Sequence, residues 1–219
     1  MHSACVLCDA RISLVSFLCQ ACSATLPENI NACRGCALPL PTNSICGTCL
    51  QHPSAFELCF APYHYVFPVD VLIKAVKFSQ RLAYAQLFAS LMYQQVARLQ
   101  IPLPQCLIPV PLHRKRLFSR GYNQAVELAK PLARRLGIPL LHGATVRVRN
   151  TLPQANLAAN ARRANVHRAF QLKEPVRYQH VALVDDVMTT GHTARELAGL
   201  LRSGGVERVD VWAAARAYR

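Results

Sequence analysis

One stretch of this 219-residue chain, VALVDDVMTTGHT at residues 181–193, decides its fold class. Its first four residues are apolar and predict a buried strand, and two adjacent carboxylates, Asp185 and Asp186, follow at the strand's carboxyl end. A threonine-rich loop containing Gly191 comes next, and a helix is predicted to begin directly after it. Ligands of open α/β sheets bind at the carboxyl ends of strands, so the stretch predicts a binding site together with a fold.

The chemistry of this stretch suits a sugar phosphate. Glycine lets the backbone approach a ligand closely, threonine hydroxyls and loop amides donate hydrogen bonds, and a helix N-terminus favours an anion. The two carboxylates could accept hydrogen bonds from ribose hydroxyls. The alternative, that Asp185 and Asp186 only end a strand and cap a turn, is disfavoured because the chain has only eleven acidic residues.

Outside this stretch, apolar periodicity predicts alternating helices and strands. The predicted helices are Val69–Phe78, Leu82–Leu99, Gly121–Leu136, Asn156–Asn165 and His192–Arg202, and the predicted strands are Cys106–Pro111, Leu140–Val148, Val181–Val184 and Val209–Ala215. Such alternation predicts an α/β domain with a parallel sheet covered on both faces.

Eight of the ten cysteines lie in the first 50 residues, as four C-x-x-C pairs. The pairs are Cys5/Cys8, Cys19/Cys22, Cys33/Cys36 and Cys46/Cys49. Two such turns brought together by a short hairpin supply four thiolates for a tetrahedral zinc ion, and the spacings favour two structural sites in a double zinc ribbon. A redox C-x-x-C, an iron–sulfur cluster and other pairings of the four turns stay open. The remaining two, Cys59 and Cys106, are predicted to be buried small hydrophobes.

The composition indicates two units and an anionic partner. A ribbon over residues 1–52 and an α/β domain over 53–219 are predicted, because the composition changes after His52 and Pro53. Lys and Arg outnumber Asp and Glu by 25 to 11, a formal charge of +14, which points to phosphates, nucleotides or nucleic acid. The sequence has neither an apolar run long enough to span a membrane nor a signal-peptide pattern at its start, so a cytoplasmic protein is expected.

The stretch at 181–193 resembles the signature of type I phosphoribosyltransferases, which bind phosphoribosyl pyrophosphate (PRPP) with Mg²⁺. The resemblance implies that Asp185 and Asp186 are the catalytic acidic pair and hold the ribose hydroxyls. It also implies that the 5′-phosphate is cradled by Thr189, Thr190, Gly191, His192 and Thr193. In oxopurine-salvage members the position of Thr189 is an aspartate that acts as a base, which argues against that reaction here.

Nearly the whole chain resembles the ComF family, which includes GntX-type proteins and is associated with DNA uptake in competent bacteria. The matching pieces are the cysteine pairs, Lys74, Lys77-Phe78, Pro109-Val110-Pro111-Leu112, Arg114, Arg120-Gly121-Tyr122-Asn123-Gln124, Thr151, Gln154, Arg162, Asn165 and the acidic stretch. The resemblance implies a role in natural transformation, with PRPP and single-stranded DNA as partners. A protein partner could bind through the ribbon.

The basic segment 113–121 follows a predicted strand end, where a pyrophosphate-binding loop would lie. Arg114, Lys115, Arg116 and Arg120 could bind pyrophosphate or nucleic-acid phosphates, with Phe118 or Tyr122 stacking on bases; a solvated loop is the plain alternative. By the same resemblance, the stretch from Arg147 to Arg168 could form a flap over the substrate.

Three functions therefore remain open from the sequence. The first is a ComF-like protein that binds PRPP and single-stranded DNA, with or without phosphoribosyl transfer. The second is a metabolic phosphoribosyltransferase for an unidentified nucleobase, and the third is a non-catalytic nucleic-acid-binding adaptor.

Overall fold

The computed structural model describes residues 3–13, 17–42, 44–78, 81–149 and 168–218. The strands are β1 (Ser3–Ala4), β2 (Arg11–Ile12), β3 (Leu58–Phe60), β4 (Tyr63–His64), β5 (Cys106–Pro109), β6 (Thr145–Arg147), β7 (Phe170–Leu172), β8 (His180–Met188) and β9 (Arg208–Arg216). The helices are α1 (Gln20–Ala24), α2 (Gly47–Gln51), α3 (Val69–Phe78), α4 (Ala83–Arg98), α5 (Arg114–Arg120), α6 (Gln124–Leu136) and α7 (His192–Ser203).

A parallel sheet forms the centre of the molecule, with strand order β3-β9-β8-β5 and β4 pairing with β9 beyond β3. The ladder between β8 and β9 runs from His180 opposite Arg208 to Met188 opposite Arg216. On the other side β8 pairs with β5 only as far as Val184. The last residues of β8 therefore extend beyond the end of β5, which leaves room for a site above that strand.

Side chains of the central strands alternate between two apolar layers, as the two-residue period of a strand requires. Ala182 and Val184 face the layer built mainly by α3, α4 and α6, whereas Val181 and Leu183 face the layer that contains α7. Trp212 of β9 is fully buried in the first layer and packs edge-on against Phe60, with ring centroids 5.6 Å apart. The sheet is thus covered on both faces, as the sequence predicts.

The helices predicted at 69–78, 82–99, 121–136 and 192–202 and the strands predicted at 106–111 and 209–215 are observed, with bounds that shift by at most three residues. The strand predicted at Leu140–Val148 is reduced to β6, which pairs with β7 in a separate antiparallel sheet, and β3, β4 and β7 were not predicted. Two further differences concern the site. The strand predicted at 181–184 continues to Met188, so Asp185 and Asp186 belong to β8 itself. The segment predicted as a basic loop after β5 is the helix α5. The helix predicted at Asn156–Asn165 lies outside the described residues.

The eight N-terminal cysteines form two sulfur clusters, and in each cluster every pair of Sγ atoms lies within 4.8 Å. The first cluster contains Cys5, Cys8, Cys19 and Cys22, and the second contains Cys33, Cys36, Cys46 and Cys49. Zinc–sulfur bonds of about 2.3 Å give a tetrahedron with edges of about 3.8 Å. The Sγ atoms of Cys8 and Cys19, and likewise those of Cys36 and Cys46, are 3.7 Å apart, so both donor sets fit structural zinc.

Backbone amides also point at these sulfurs. The amide of Cys22 donates to Sγ of Cys19 at 3.4 Å, and the amide of Cys46 donates to Sγ of Cys33 at 3.2 Å. The two clusters show that the first turn pairs with the second and the third with the fourth, which excludes the other pairings of the four turns.

The ribbon packs on the edge of the sheet formed by β3 and β4. The backbone of Glu28 bridges that of Tyr63, and the buried Asn29 side chain donates to the carbonyl oxygens of Ala37 and Ala61 at 2.9 and 3.0 Å. The amide of Cys59 in β3 donates to the carbonyl of Arg34 at 2.8 Å. An exposed strand edge would offer unpaired backbone groups to another chain, and here the ribbon covers part of it.

Within the described ranges, no helix is both long enough and apolar enough to cross a bilayer.

The two sulfur clusters predict the metal content of the protein. Wild-type protein should contain two zinc ions per chain by elemental mass spectrometry, and Cys19→Ser should contain one, because three thiolates hold zinc less tightly than four. Cys106→Ala is the matched control: Cys106 is buried, burial raises the pKa of its thiol to about 12, and the variant should keep both ions. Two ions in Cys19→Ser would contradict the first site.

Candidate functional site

A cavity of about 270 Å³ opens where β8 extends past β5. Its walls combine the acidic pair, the threonine loop and three arginines. The polar and charged residues that line it, together with Gly191, are Lys77, Arg116, Arg120, Gln124, Arg147, Asp185, Asp186, Thr189 and Thr193. Its volume is near the lower end of the range of about 300–1,000 Å³ for small-molecule pockets.

The acidic pair is held by a lysine from α3. Nζ of Lys77 lies 2.9 Å from Oδ2 of Asp186, and the Asp186 amide donates to Oδ1 of Asp185 at 2.9 Å. Burial, and then the neighbouring Asp186 charge, raise the pKa of Asp185 to about 7, against the opposing effect of Lys77. Burial by itself would lower the pKa of Lys77, but the Asp186 carboxylate raises it, so the lysine stays charged.

These contacts give the two carboxylates different tasks. Asp186 is partly neutralised by Lys77, whereas Asp185 keeps a half-buried carboxyl group at the wall of the cavity. Carboxylate oxygens are ligands that Mg²⁺ accepts, and they also accept hydrogen bonds from hydroxyls.

The threonine loop joins the end of β8 to the N-terminus of α7. Gly191 is the N-cap residue of α7 and has a φ of +77°, and an added Cβ there would lie 2.8 Å from Cε of Met188. Glycine is therefore required at this turn. Thr189, Gly191 and Thr193 line the cavity; Thr190 and His192, also predicted to cradle a phosphate, are outside the lining that the structure describes.

Only half of the predicted basic cluster faces the cavity. The segment is helical because His113 caps it, its side chain accepting from the Lys115 amide, and Gly121 ends it with a φ of +82°. Arg116 and Arg120 are one helical turn apart and line the cavity, whereas Arg114 and Lys115 are exposed on the other side of α5. A loop could have brought all four cations to one ligand; the helix divides them.

The residues after α5 fix its orientation. The Tyr122 hydroxyl donates to the carbonyl of Val76 on α3. Asn123 caps α6, with its Oδ1 accepting from the Ala125 amide at 3.0 Å, and its Nδ2 donates to the carbonyl of Val110 at 3.0 Å. Gln124 accepts from Nη1 of Arg120 at 2.6 Å. The stretch 121–124 thus holds Arg120 in place.

Two charged residues of the cavity were not predicted to contact a ligand: Arg147, which was expected only at one end of a flap, and Lys77, which was named only in the family resemblance. Arg147 of β6 is buried, and its guanidinium lies over the Phe170 ring at 5.4 Å. Burial, followed by the charge of Arg116, lowers the pKa of Arg147 to about 10, so it remains protonated at neutral pH. The signal that could have found both is a cation at an inward position of a predicted strand or helix.

Part of the predicted flap lies outside the described residues. Thr151, Gln154, Arg162, Arg163 and Asn165 fall there, and Arg147 and Arg168 at its two ends are described.

The raised pKa of Asp185 predicts a pH-dependent stability. The folded state holds a proton on Asp185 that the unfolded state releases near its ordinary pKa of 3.8, so wild-type stability should fall as pH rises from about 4 to about 7. The melting temperature of Asp185→Asn minus that of wild type should therefore increase across this window and level off above it. If the difference in melting temperature between Asp185→Asn and wild type is the same at pH 4 and pH 8, the pKa of Asp185 is not raised in the folded state.

Two family models match parts of this chain. A family model described as a phosphoribosyl transferase domain matches residues 123–217, and one described as a double zinc ribbon domain matches residues 2–50. The solved structure of the glutamine PRPP amidotransferase of B. subtilis is 16% identical, with a TM-score of 0.39 over 59% of this chain and 26% of that one.

Two relatives match along almost their whole length. The chain is 35% identical to the DNA utilization protein YhgH of Salmonella typhi over 218 residues, which cover 97% of this chain and 96% of that protein. It is 37% identical to Competence protein F of Haemophilus influenzae over 222 residues, with the same coverage. The chain belongs to the ComF family of competence and DNA utilization proteins, with a parallel-sheet phosphoribosyltransferase-like fold behind a double zinc ribbon.

Proposed function

We propose that this protein binds PRPP with Mg²⁺ in the cavity at the end of β8 and handles single-stranded DNA through the outer side of α5, in the cytoplasm and in the service of natural transformation. The observation that carries the first part is one cavity with an acidic pair and a glycine-containing helix N-terminus on one wall and Arg116, Arg120 and Arg147 on another. That distribution complements a sugar with an anionic group at each end.

In this proposal each wall has one task. Asp185 and Asp186 accept hydrogen bonds from the ribose hydroxyls, and the loop from Thr189 to Thr193 receives the 5′-phosphate, since α7 begins there and presents the positive end of its dipole. Arg116 and Arg120 lie on the side where a pyrophosphate would sit. Arg147 adds a buried charge that water screens weakly.

Magnesium would be held by pyrophosphate oxygens and by Asp185, whose carboxyl is the one that Lys77 does not neutralise. When bound, it would supply positive charge to the pyrophosphate. The chain's own residues position the sugar and stabilise charge, and these are the two contributions that displacement of pyrophosphate from C1 requires of a protein. The acceptor for such a transfer is not specified by the residues of this wall.

The outer side of α5 favours nucleic acid. Phe118 is 88% exposed, and Arg114 and Lys115 beside it are exposed as well. An exposed aromatic ring next to cations is the combination that stacks a base while binding the adjacent phosphates. This surface is distinct from the cavity, so the two ligands do not compete for the same residues.

PRPP binding is tested by thermal shift with Mg²⁺ and PRPP. At 100 times the dissociation constant the ligand contributes about 2.7 kcal/mol, which raises the melting temperature of a chain of this size by roughly 5–10 °C. Arg116→Ala and Asp185→Asn should each weaken binding about tenfold or more, because each removes a charge that meets the ligand. Arg114→Ala, on the same helix and outside the cavity, is the matched control. No shift in folded, zinc-loaded wild type would sink the proposal.

Single-stranded DNA binding is tested by fluorescence anisotropy with a labelled oligothymidine. Phe118→Ala should weaken binding about tenfold, since base stacking is worth about 1–3 kcal/mol. Leu117→Ala, also exposed on α5, should not, and Asp185→Asn should bind DNA as wild type does. If Phe118→Ala and Leu117→Ala bind DNA with equal affinity, α5 is not part of the DNA-binding surface. Pyrophosphate release that depends on an added nucleobase would favour the metabolic alternative.

A further inference from the structure

A buried arginine connects the second sulfur cluster to the threonine loop. Arg216 ends β9 and is only 6% exposed. Its Nε donates to the carbonyl of Cys36 at 2.7 Å, and its Nη1 donates to the carbonyls of Met188, at 3.1 Å, and of Ala217. The partners of this guanidinium are thus backbone carbonyls, which fix its position through charge-assisted hydrogen bonds.

Two of those carbonyls belong to elements with separate tasks. Cys36 is a ligand of the second cluster, and Met188 is the last residue of β8, immediately before the loop at 189–193. The Met188 carbonyl also accepts from the Ala217 amide at 2.9 Å. One planar side chain therefore spans from a metal-binding turn to the residue at which the loop begins, although the two residues are 152 positions apart in sequence.

A second arginine holds the loop from the same direction. Arg195 of α7 donates Nη1 to the carbonyl of Thr190 at 2.9 Å and Nε to the hydroxyl of Ser54, directly after the predicted ribbon, at 3.2 Å. The two arginines thus hold the carbonyl of Met188, just before the loop, and the carbonyl of Thr190 within it. The geometry of the loop therefore depends on what anchors the arginines.

The anchor at Cys36 has little packing of its own. The buried residues of the small core around it are Cys33, Cys36 and Cys49, supplemented by the partly buried Leu38, Leu40 and Cys46. A core made largely of ligand cysteines depends on its metal for stability. Both clusters have neighbours in the main core: Ala37, next to Cys36, is buried in the layer that contains α7, and Phe17 and Leu18 of the first ribbon half pack against the layer of α3, α4 and α6. Arg216 is hydrogen-bonded to the second cluster through the Cys36 carbonyl.

We propose that Arg216 is a positioning residue that makes the geometry of the phosphate-binding loop depend on zinc in the second site and not on zinc in the first. Loss of the second ion releases the Cys36 carbonyl, Arg216 loses one anchor, and the Met188 carbonyl is held less firmly. The effect of this zinc loss on PRPP affinity rests on the proposed function, whereas its effect on the order of the loop does not.

The test compares matched cysteine variants of the full chain by hydrogen–deuterium exchange of the amides at 189–193 without ligand. Cys49→Ser should lose one zinc ion and exchange about tenfold faster in the loop, the size expected for one lost charge-assisted hydrogen bond. Cys22→Ser should also lose one ion and leave loop exchange at the wild-type rate. Zinc content is measured on every sample.

Arg216 itself is tested by Arg216→Lys, which keeps the charge and most of the stem but cannot reach two carbonyls with one planar group. Loop exchange should rise as in Cys49→Ser, zinc content should stay at two ions, and the double variant should add little, because both changes break the same link. Unchanged loop exchange in Cys49→Ser with one ion lost would overturn the inference, as would equal effects of Cys22→Ser and Cys49→Ser.

The same samples separate this inference from the proposed function. If wild type gives no thermal shift with PRPP but the loop responds selectively to the second site, the proposed ligand is wrong and the link through Arg216 stands. If wild type binds PRPP, and Cys49→Ser binds it equally well with unchanged loop exchange, the proposed ligand is right and the link through Arg216 is wrong.

Discussion

The structure depends on β8, a strand hydrogen-bonded on both sides and buried on both faces. Its backbone pairs with β5 and β9, and its apolar side chains alternate between the two core layers. A strand with this environment can shift neither in register nor in direction without moving apolar groups into water or leaving backbone groups unpaired. The residues that follow Val184 are therefore placed by the best-determined element of the molecule, and this is what allows a short loop to present a defined binding surface.

Placing two carboxylates at the end of such a strand costs free energy, because both are withdrawn from water next to each other. Lys77 offsets part of this cost from α3, and the cavity wall carrying Arg116, Arg120 and Arg147 supplies further positive charge. The raised pKa of Asp185 shows that the compensation is incomplete. A site that is electrostatically unsatisfied without ligand has more to gain from a ligand that carries both hydroxyls and anionic groups.

The ribbon contributes to the same site from the opposite edge of the sheet. It covers β3 and β4, buries Asn29 against backbone carbonyls, and is connected through Arg216 to Met188, the residue before the threonine loop. A small metal-dependent unit of this kind has little core of its own, so its attachment to the sheet works in both directions: the sheet supports the ribbon, and the ribbon supports the loop. The predicted boundary between residues 52 and 53 separates two compositions, but the contacts cross it.

The sequence alone determined everything that local pattern encodes. The period of apolar residues predicted the four long helices and the strands β5, β8 and β9. The C-x-x-C spacing predicted the ligands of two metal sites, and the order of apolar, acidic and threonine residues at 181–193 predicted where a ligand would bind. Tertiary structure decided which distant groups meet there. Lys77 and Arg147 reach Asp185 and Asp186 from elements far apart in sequence, and α5 turns Arg116 and Arg120 inward but Arg114 and Lys115 outward. The link from Cys36 to Met188 through Arg216 is of the same kind. Such contacts are set by strand order and helix packing, to which no single stretch of sequence corresponds, because the free energy that selects them comes from burying all the elements together.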